Sequence, residues 1–139
     1  MADYSVTAAN VQQSSAAIVS SGTAGETITA GQILYKDASD SNHLKLADCT
    51  DAEKYDAVGI AVNGAADGQP CDYVARDEGL DPGTTGLVGD LALLSTAGGI
   101  MPQGDLATGD YTVLVGIWDT TSTINVQIGK YTRNDATRA

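Results

Sequence analysis

The side chains that most often carry catalysis are few and scattered in this chain. Its single histidine, His43, lies in the polar segment DASDSNHLK, whose composition predicts a turn with a solvated imidazole. One histidine excludes a multi-histidine metal site. The sequence also contains neither the Gly-x-Ser-x-Gly elbow nor the cysteine-protease signature that would supply a nucleophile to pair with His43. The sequence therefore gives little support to a small hydrolase, which stays a weak alternative.

The two cysteines, Cys49 and Cys71, do not form a Cys-x-x-Cys motif and are too few for a disulfide framework. We expect both to be free thiols.

Acidic residues are numerous, but their spacing does not match a known site. Asp37, Asp40 and Asn42 could offer oxygens to Ca²⁺, yet the EF-hand order of acids, glycine and glutamate is absent. A glycosidase pair is disfavoured because a single tryptophan leaves little to stack on a sugar. We predict no metal or cofactor, and solvated loop charges at Asp48, Asp51, Glu53, Asp56, Asp77, Glu78 and Asp81.

A repeated strand–glycine–hairpin pattern is also typical of biotinyl and lipoyl carrier domains, which present a lysine at a hairpin tip. The candidates here are Lys36 and Lys45, and neither has the neighbours that such a modification site needs. A carrier domain is therefore a weak alternative.

Charge and hydropathy restrict the partners. The 139 residues carry a formal net charge of −11, the wrong sign for binding nucleic-acid phosphates. The sequence has no apolar run of membrane-spanning length, and its start, MADYSVTAANVQQ, lacks the features of a signal peptide. We expect a protein that is made in the cytoplasm and binds neither nucleic acid nor membrane.

The elements that must position any site are short strands. Sixteen glycines and frequent Asp- and Asn-containing turns leave little room for helices. Gly31 and Gly59 are 28 residues apart, and Gly89 and Gly116 are 27 residues apart, so the two halves of the chain can be aligned as repeats. We predict an all-β fold, a small antiparallel β-barrel or sandwich with an internal pseudo-twofold repeat, in which these four structural glycines are bulges or bends.

The alternating pattern of the strands also predicts the core. The residues expected there are Ile33, Tyr35, Val58, Ile60, Leu91, Leu93, Val115, Ile117, Val126 and Ile128.

Three segments resemble the capsid decoration, or cement, proteins of tailed bacteriophages. They are TAGETITAGQILY at 23–35, VGIAVNGAADGQ at 58–69 and VGI at 115–117. The resemblance implies a small β-rich virion protein that binds the outer surface of an expanded head through the major capsid protein, often as a homotrimer. It implies no enzymatic site. A head-fibre or tail protein contacting the host surface remains the alternative.

The N-terminal residues differ in composition from the rest. Residues 1–22 are rich in Ser, Ala, Gln and Thr, so we predict an extended arm before a β-domain at 23–131 and a tail at 132–139. Isolated β-branched residues could add this arm as a strand to a neighbouring copy or to the capsid. The predicted capsid-binding residues are Val6, Val11, Ile18 and Val19.

Overall fold

Eleven β-strands form the regular structure of residues 3–128 and 131–133, which the computed structural model describes. Within these residues there is no α-helix, only three short 3₁₀ turns. The all-β prediction is therefore confirmed. The strands are β1 (Val11–Gln12), β2 (Ile18–Thr23), β3 (Ile33–Asp37), β4 (His43–Leu46), β5 (Ala57–Ala61), β6 (Pro70–Pro82), β7 (Leu91–Leu94), β8 (Ile100–Pro102), β9 (Tyr111–Trp118), β10 (Ile124–Gln127) and β11 (Tyr131–Arg133).

The strands pair antiparallel in one sheet that curls into a half-barrel. Its order is β4-β3-β5-β6-β10-β9-β7-β8, with β1 and β2 also on β6 and β11 on β9. The 13-residue strand β6 links the two halves. Its first part pairs with β5 through Ile60 and Val74, and its second part pairs with β10 through Ile124 and Leu80.

The internal repeat is present at the level of strand register. In the first half Leu34 of β3 lies opposite Gly59 of β5, and in the second Ala92 of β7 lies opposite Gly116 of β9. In each case the register shifts by one residue immediately afterwards, which is the signature of a β-bulge. The two halves therefore share one pairing scheme.

The four glycines predicted to be structural divide into two kinds. Gly31 and Gly89 have φ angles of 93° and 89°, which side-chain-bearing residues rarely adopt. Gly59 and Gly116 lie beside the bulges, where a Cβ would approach a carbonyl oxygen of the next strand to 2.7 Å and 2.5 Å. Gly31 and Gly89 therefore lie in turns, and Gly59 and Gly116 lie beside bulges.

A main hydrophobic cluster fills the half-barrel, and a second, smaller cluster containing Ala24, Ile28, Leu34 and Leu44 lies on the other face of the first half. The predicted core residues that are buried are Ile33, Tyr35, Ile60, Leu93, Val115 and Val126.

The prediction is wrong for Ile117, whose side chain is 43% exposed, and Val58, Leu91 and Ile128 are only half-buried. The row Ile33–Ile60–Val74 faces the main cluster, whereas in the equivalent row Leu91 is only half-buried against that cluster and Ile117 is exposed.

Strand β6 has two one-residue register shifts, one against β2 between Val74 and Arg76 and one against β10 between Asp77 and Leu80. Val74 and Leu80, on either side of these shifts, both belong to the main cluster. The two shifts together therefore leave both residues facing the core.

The N-terminal segment lies along the sheet of its own chain. Strands β1 and β2 pair in sequence along β6, from Val11 opposite Pro82 to Thr23 opposite Pro70. The segment forms extended strands that add to the sheet of its own domain. At the other end, residues 132 and 133 of the predicted tail continue β11, and residues 134–139 lie outside the described residues.

Candidate interaction surface

The residues considered first for chemistry lie apart from one another. Cys49 is buried in the main cluster and Cys71 in the second cluster, and both are free thiols, as predicted. Burial, followed by the nearby carboxylates of Asp110 and Asp48, raises the pKa of the Cys49 thiol to about 12. Burial also raises the pKa of Cys71. Thiols held protonated in this way are poor nucleophiles.

The segment that could have offered oxygens to Ca²⁺ instead forms a local ion-pair network. Lys45 Nζ lies 2.9 Å from Asp37 Oδ2 and 3.2 Å from Asp40 Oδ2. His43, predicted in a solvated turn, is the half-buried first residue of β4, with Nδ1 3.6 Å from Asp40. The Ser39 hydroxyl, and after it Lys45, hydrogen-bond to Asp37 and lower its pKa to about 2. This network fixes the β3–β4 connection.

Among the residues that the structure describes, no group of three or more His, Cys, Asp or Glu side chains could hold a metal ion. One of the acids predicted to be solvated is nevertheless buried. Asp77 is 2% exposed, and it accepts hydrogen bonds from the backbone N–H groups of Ser14 (2.8 Å) and Gly79 (3.1 Å) and from the Ser14 hydroxyl. Its predicted exposure is wrong because the N-terminal segment covers it.

Several contacts fasten the N-terminal segment to the domain. The Tyr4 ring packs edge-on against Trp118 at a centroid distance of 5.5 Å, and its hydroxyl accepts a hydrogen bond from Trp118 Nε1 at 3.2 Å. The Ser95 hydroxyl donates to Asp3 at 2.7 Å. The hypothesis that this arm adds to a neighbouring copy or to the capsid considered only its β-branched residues, whereas these anchors are aromatic and polar.

The four predicted capsid-binding residues separate into two pairs. Val6 and Val11 are half-buried, and their side chains lie over Gly31. Ile18 and Val19, at the start of β2, are 62% and 40% exposed. The second pair is therefore the more exposed of the two.

Strand β2 pairs with β6 along one edge, and no other described strand pairs with it. Four of its residues, from Ile18 to Ser21, are exposed and uncharged. An open, uncharged strand edge of this kind is suited to receive a strand from another chain.

A second exposed apolar feature is one that the sequence interpretation missed. Leu87 and Val88 are 69% and 64% exposed in the turn that precedes β7. The sequence signal is an adjacent apolar pair between Gly86 and Gly89, where a turn is expected to be polar.

Comparison with known proteins gives no relative for this fold or sequence: no family model, curated protein or solved structure matches the chain. None of the described segments forms a helix with the length and apolar character needed to cross a membrane.

Proposed function

We propose that this protein is a structural component of a tailed-bacteriophage virion that binds the outer surface of the expanded capsid and stabilises it. The proposal rests on the resemblance of residues 23–35, 58–69 and 115–117 to capsid decoration proteins. Its partner is the major capsid protein, and it acts as a homotrimer without enzymatic activity. It is made in the host cytoplasm and resides on the virion.

The observation that carries the proposal is the open edge of β2. Ile18 and Val19 are large, exposed and next to each other on a strand whose only described partner is β6. A strand of the capsid protein added to this edge would pair with free backbone groups and cover both side chains. The contact would be uncharged, so the net charge of −11 would remain on surfaces facing solvent.

Binding of the full-length protein to purified expanded capsids tests the proposal. We expect the wild-type protein to decorate the heads, and the double variant Ile18→Ser/Val19→Ser to bind about tenfold more weakly, equivalent to about 1.4 kcal/mol. The control is Ile117→Ser, which also removes an exposed isoleucine but lies outside β2. A wild-type protein that does not bind heads would reject the function, and equal binding by the double variant would reject β2 as the contact.

The second candidate is a head-fibre or tail protein that contacts the host surface. The same open edge would serve such a contact, so the discriminating result is binding to host cells without binding to heads. A carrier domain has less support, because Lys36 lies in strand β3 and Lys45 is ion-paired with two carboxylates.

A further inference from the structure

A surface cavity of ≈580 Å³ lies beside the pairing of β1 with the end of β6. Its walls come from residues 9–12, from residues 81 and 83–85, and from Ser122 in the turn between β9 and β10. Cavities that bind small ligands typically measure about 300–1,000 Å³, and about 150 Å³ already holds a benzene ring. This cavity therefore has room for about two or three six-membered rings with their substituents.

The lining is rich in side chains that can both donate and accept hydrogen bonds. They are Asn10, Gln12, Thr84, Thr85 and Ser122. Within the described residues, none of these five side chains has a hydrogen-bond partner. Amides elsewhere in the chain fix turns instead: Gln32 accepts from the Thr29 N–H at 2.8 Å, and Gln69 accepts from the Ala66 N–H at 2.9 Å. The amides and hydroxyls of the cavity thus remain available to a ligand.

Asp81 is the one charged residue among the nine that line this cavity. Its half-buried carboxylate is held in place, because Oδ1 accepts a hydrogen bond from the Gly83 N–H at 2.9 Å. The Gly83 carbonyl in turn accepts from the Thr7 N–H at 2.8 Å. No described residue donates to Asp81 Oδ2, so this oxygen can accept hydrogen bonds from a ligand.

Thr85 also lines a second cavity, of ≈370 Å³, which lies next to the first. The other residues around it are Tyr4, Gly86, Leu87, Asp90 and Pro102. The Tyr4 ring is positioned by its edge-on contact with Trp118, which is itself buried, and Leu87 is 69% exposed. The second cavity therefore adds an aromatic ring and an aliphatic side chain to the hydrogen-bonding groups of the first.

We infer that the two cavities together bind a neutral, linear oligosaccharide. Sugar hydroxyls both donate and accept hydrogen bonds, as amide and hydroxyl side chains do, and they can also donate to a carboxylate. The C–H face of a sugar ring is apolar and can pack against an aromatic ring such as that of Tyr4. A linear chain fits because the cavities follow each other along residues 81–87. The inference is independent of capsid binding.

Other classes of ligand fit these cavities less well. No Lys or Arg lines either of them and each contains a carboxylate, so an anion would be repelled. A purely apolar ligand would meet only Ala9 and Val11 as apolar side chains in the larger cavity. A cationic peptide would gain little here over the rest of a chain with net charge −11, since each cavity has one carboxylate.

Nuclear magnetic resonance titration of the ¹⁵N-labelled full-length protein tests the ligand class. The neutral probes are maltohexaose, cellohexaose and chitohexaose, and the charged probes are hexagalacturonate and tetralysine. We expect at least one neutral probe to shift the amide signals of residues 9–12, 83–87 and 122 in a saturable way. The inference is overturned if no neutral probe does so, or if a charged probe shifts the same signals at equal or lower concentration.

Substitutions in the larger cavity test the site itself. Gln12→Ala/Thr84→Val should weaken binding of the neutral probe by about tenfold or more, while circular dichroism stays unchanged. The matched control is Gln13→Ala/Thr96→Val, which makes the same chemical changes at exposed positions outside both cavities. Thr85→Val, at an exposed position shared by the two cavities, gives the same readout if the double variant does not fold. Unchanged binding by the folded cavity variant would overturn the site.

Capsid binding measured on the same samples separates this inference from the proposed function. The variant Gln12→Ala/Thr84→Val should decorate heads as the wild type does, because the proposed capsid contact lies on β2. A wild-type protein that binds the oligosaccharide but not heads would reject the proposed function and keep this site. A protein that binds heads but none of the neutral probes would keep the function and reject the site.

Discussion

Gly86 lies directly against the indole ring of Trp118, and a Cβ on this glycine would stand 2.5 Å from both Cδ2 and Nε1 of the ring. In the first repeat the equivalent positions are Ile28 and Ala61, which are both buried in the second cluster. Each repeat has one large and one small residue at these two positions, but the order is reversed. The two halves therefore share one backbone arrangement, but the larger side chain of this pair stands at opposite positions in them.

Substitution of Gly86 tests this packing. We expect Gly86→Ala to lower the free energy of unfolding by about 1–3 kcal/mol, because Trp118 is 1% exposed and cannot move without disturbing the main cluster. Urea unfolding measures the effect. Gly64→Ala is the matched control, since a Cβ there would meet only the Ile28 carbonyl oxygen, at 3.5 Å. Equal stabilities of the two variants would contradict the role assigned to Gly86.

The Cys49 thiol should be protected and should make stability depend on alkaline pH. Its pKa is raised from 9.0 to about 12 in the folded chain, so above pH 9 the unfolded state loses a proton that the folded state keeps. This contribution to stability is fully present below pH 9 and is lost as the pH rises toward 12. Unfolding measured across this range should show a smaller loss for Cys49→Ala than for the wild type. At pH 8 a thiol reagent should label Cys49 only after denaturation, and rapid labelling of the native protein would contradict its burial.

The hydrogen bond between Ser14 and Asp77 should hold the N-terminal segment in place. Ser14→Ala removes the hydroxyl donor from a carboxylate that is 2% exposed, and leaving such a group short of a partner costs about 1–3 kcal/mol. Thermal or urea unfolding should show this loss. The neighbouring Ser15→Ala is the control, because Ser15 is exposed. If both variants are as stable as the wild type in these unfolding measurements, the segment is not anchored through Asp77.

Local pattern was sufficient to predict the repeated pairing scheme. Glycine is needed where φ is positive, as at Gly31 and Gly89. It is also needed where the backbone of a neighbouring strand lies too close to leave room for a Cβ, as at Gly59 and Gly116. These features depend on a few neighbouring residues, so they can be read from spacing alone.

The anchoring of the N-terminal segment could not be predicted in the same way. Tyr4 and Trp118 are 114 residues apart, and nothing in the local sequence indicates that one covers the other. The buried state of Asp77 depends on the same segment, through Ser14. In the candidate surface, Ile18 and Val19 could be proposed as contact residues from the sequence. The exposure of Leu87 and Val88 could not, because it depends on whether another part of the chain covers their turn, and no described residue does.

The face of each strand that turns inward also depends on long-range pairing, and Ile60 and Ile117 test this point as a matched pair. They occupy equivalent positions opposite Ile33 and Leu91, but Ile60 is fully buried and Ile117 is 43% exposed. Ile60→Ala should destabilise the fold by about 2–5 kcal/mol, since it leaves a cavity in the main cluster. Ile117→Ala should cost less than half as much, because its side chain already contacts water. Chemical unfolding of the two variants under one set of conditions gives the comparison. Similar losses at both positions would mean that Ile117, like Ile60, is packed in the core of its repeat.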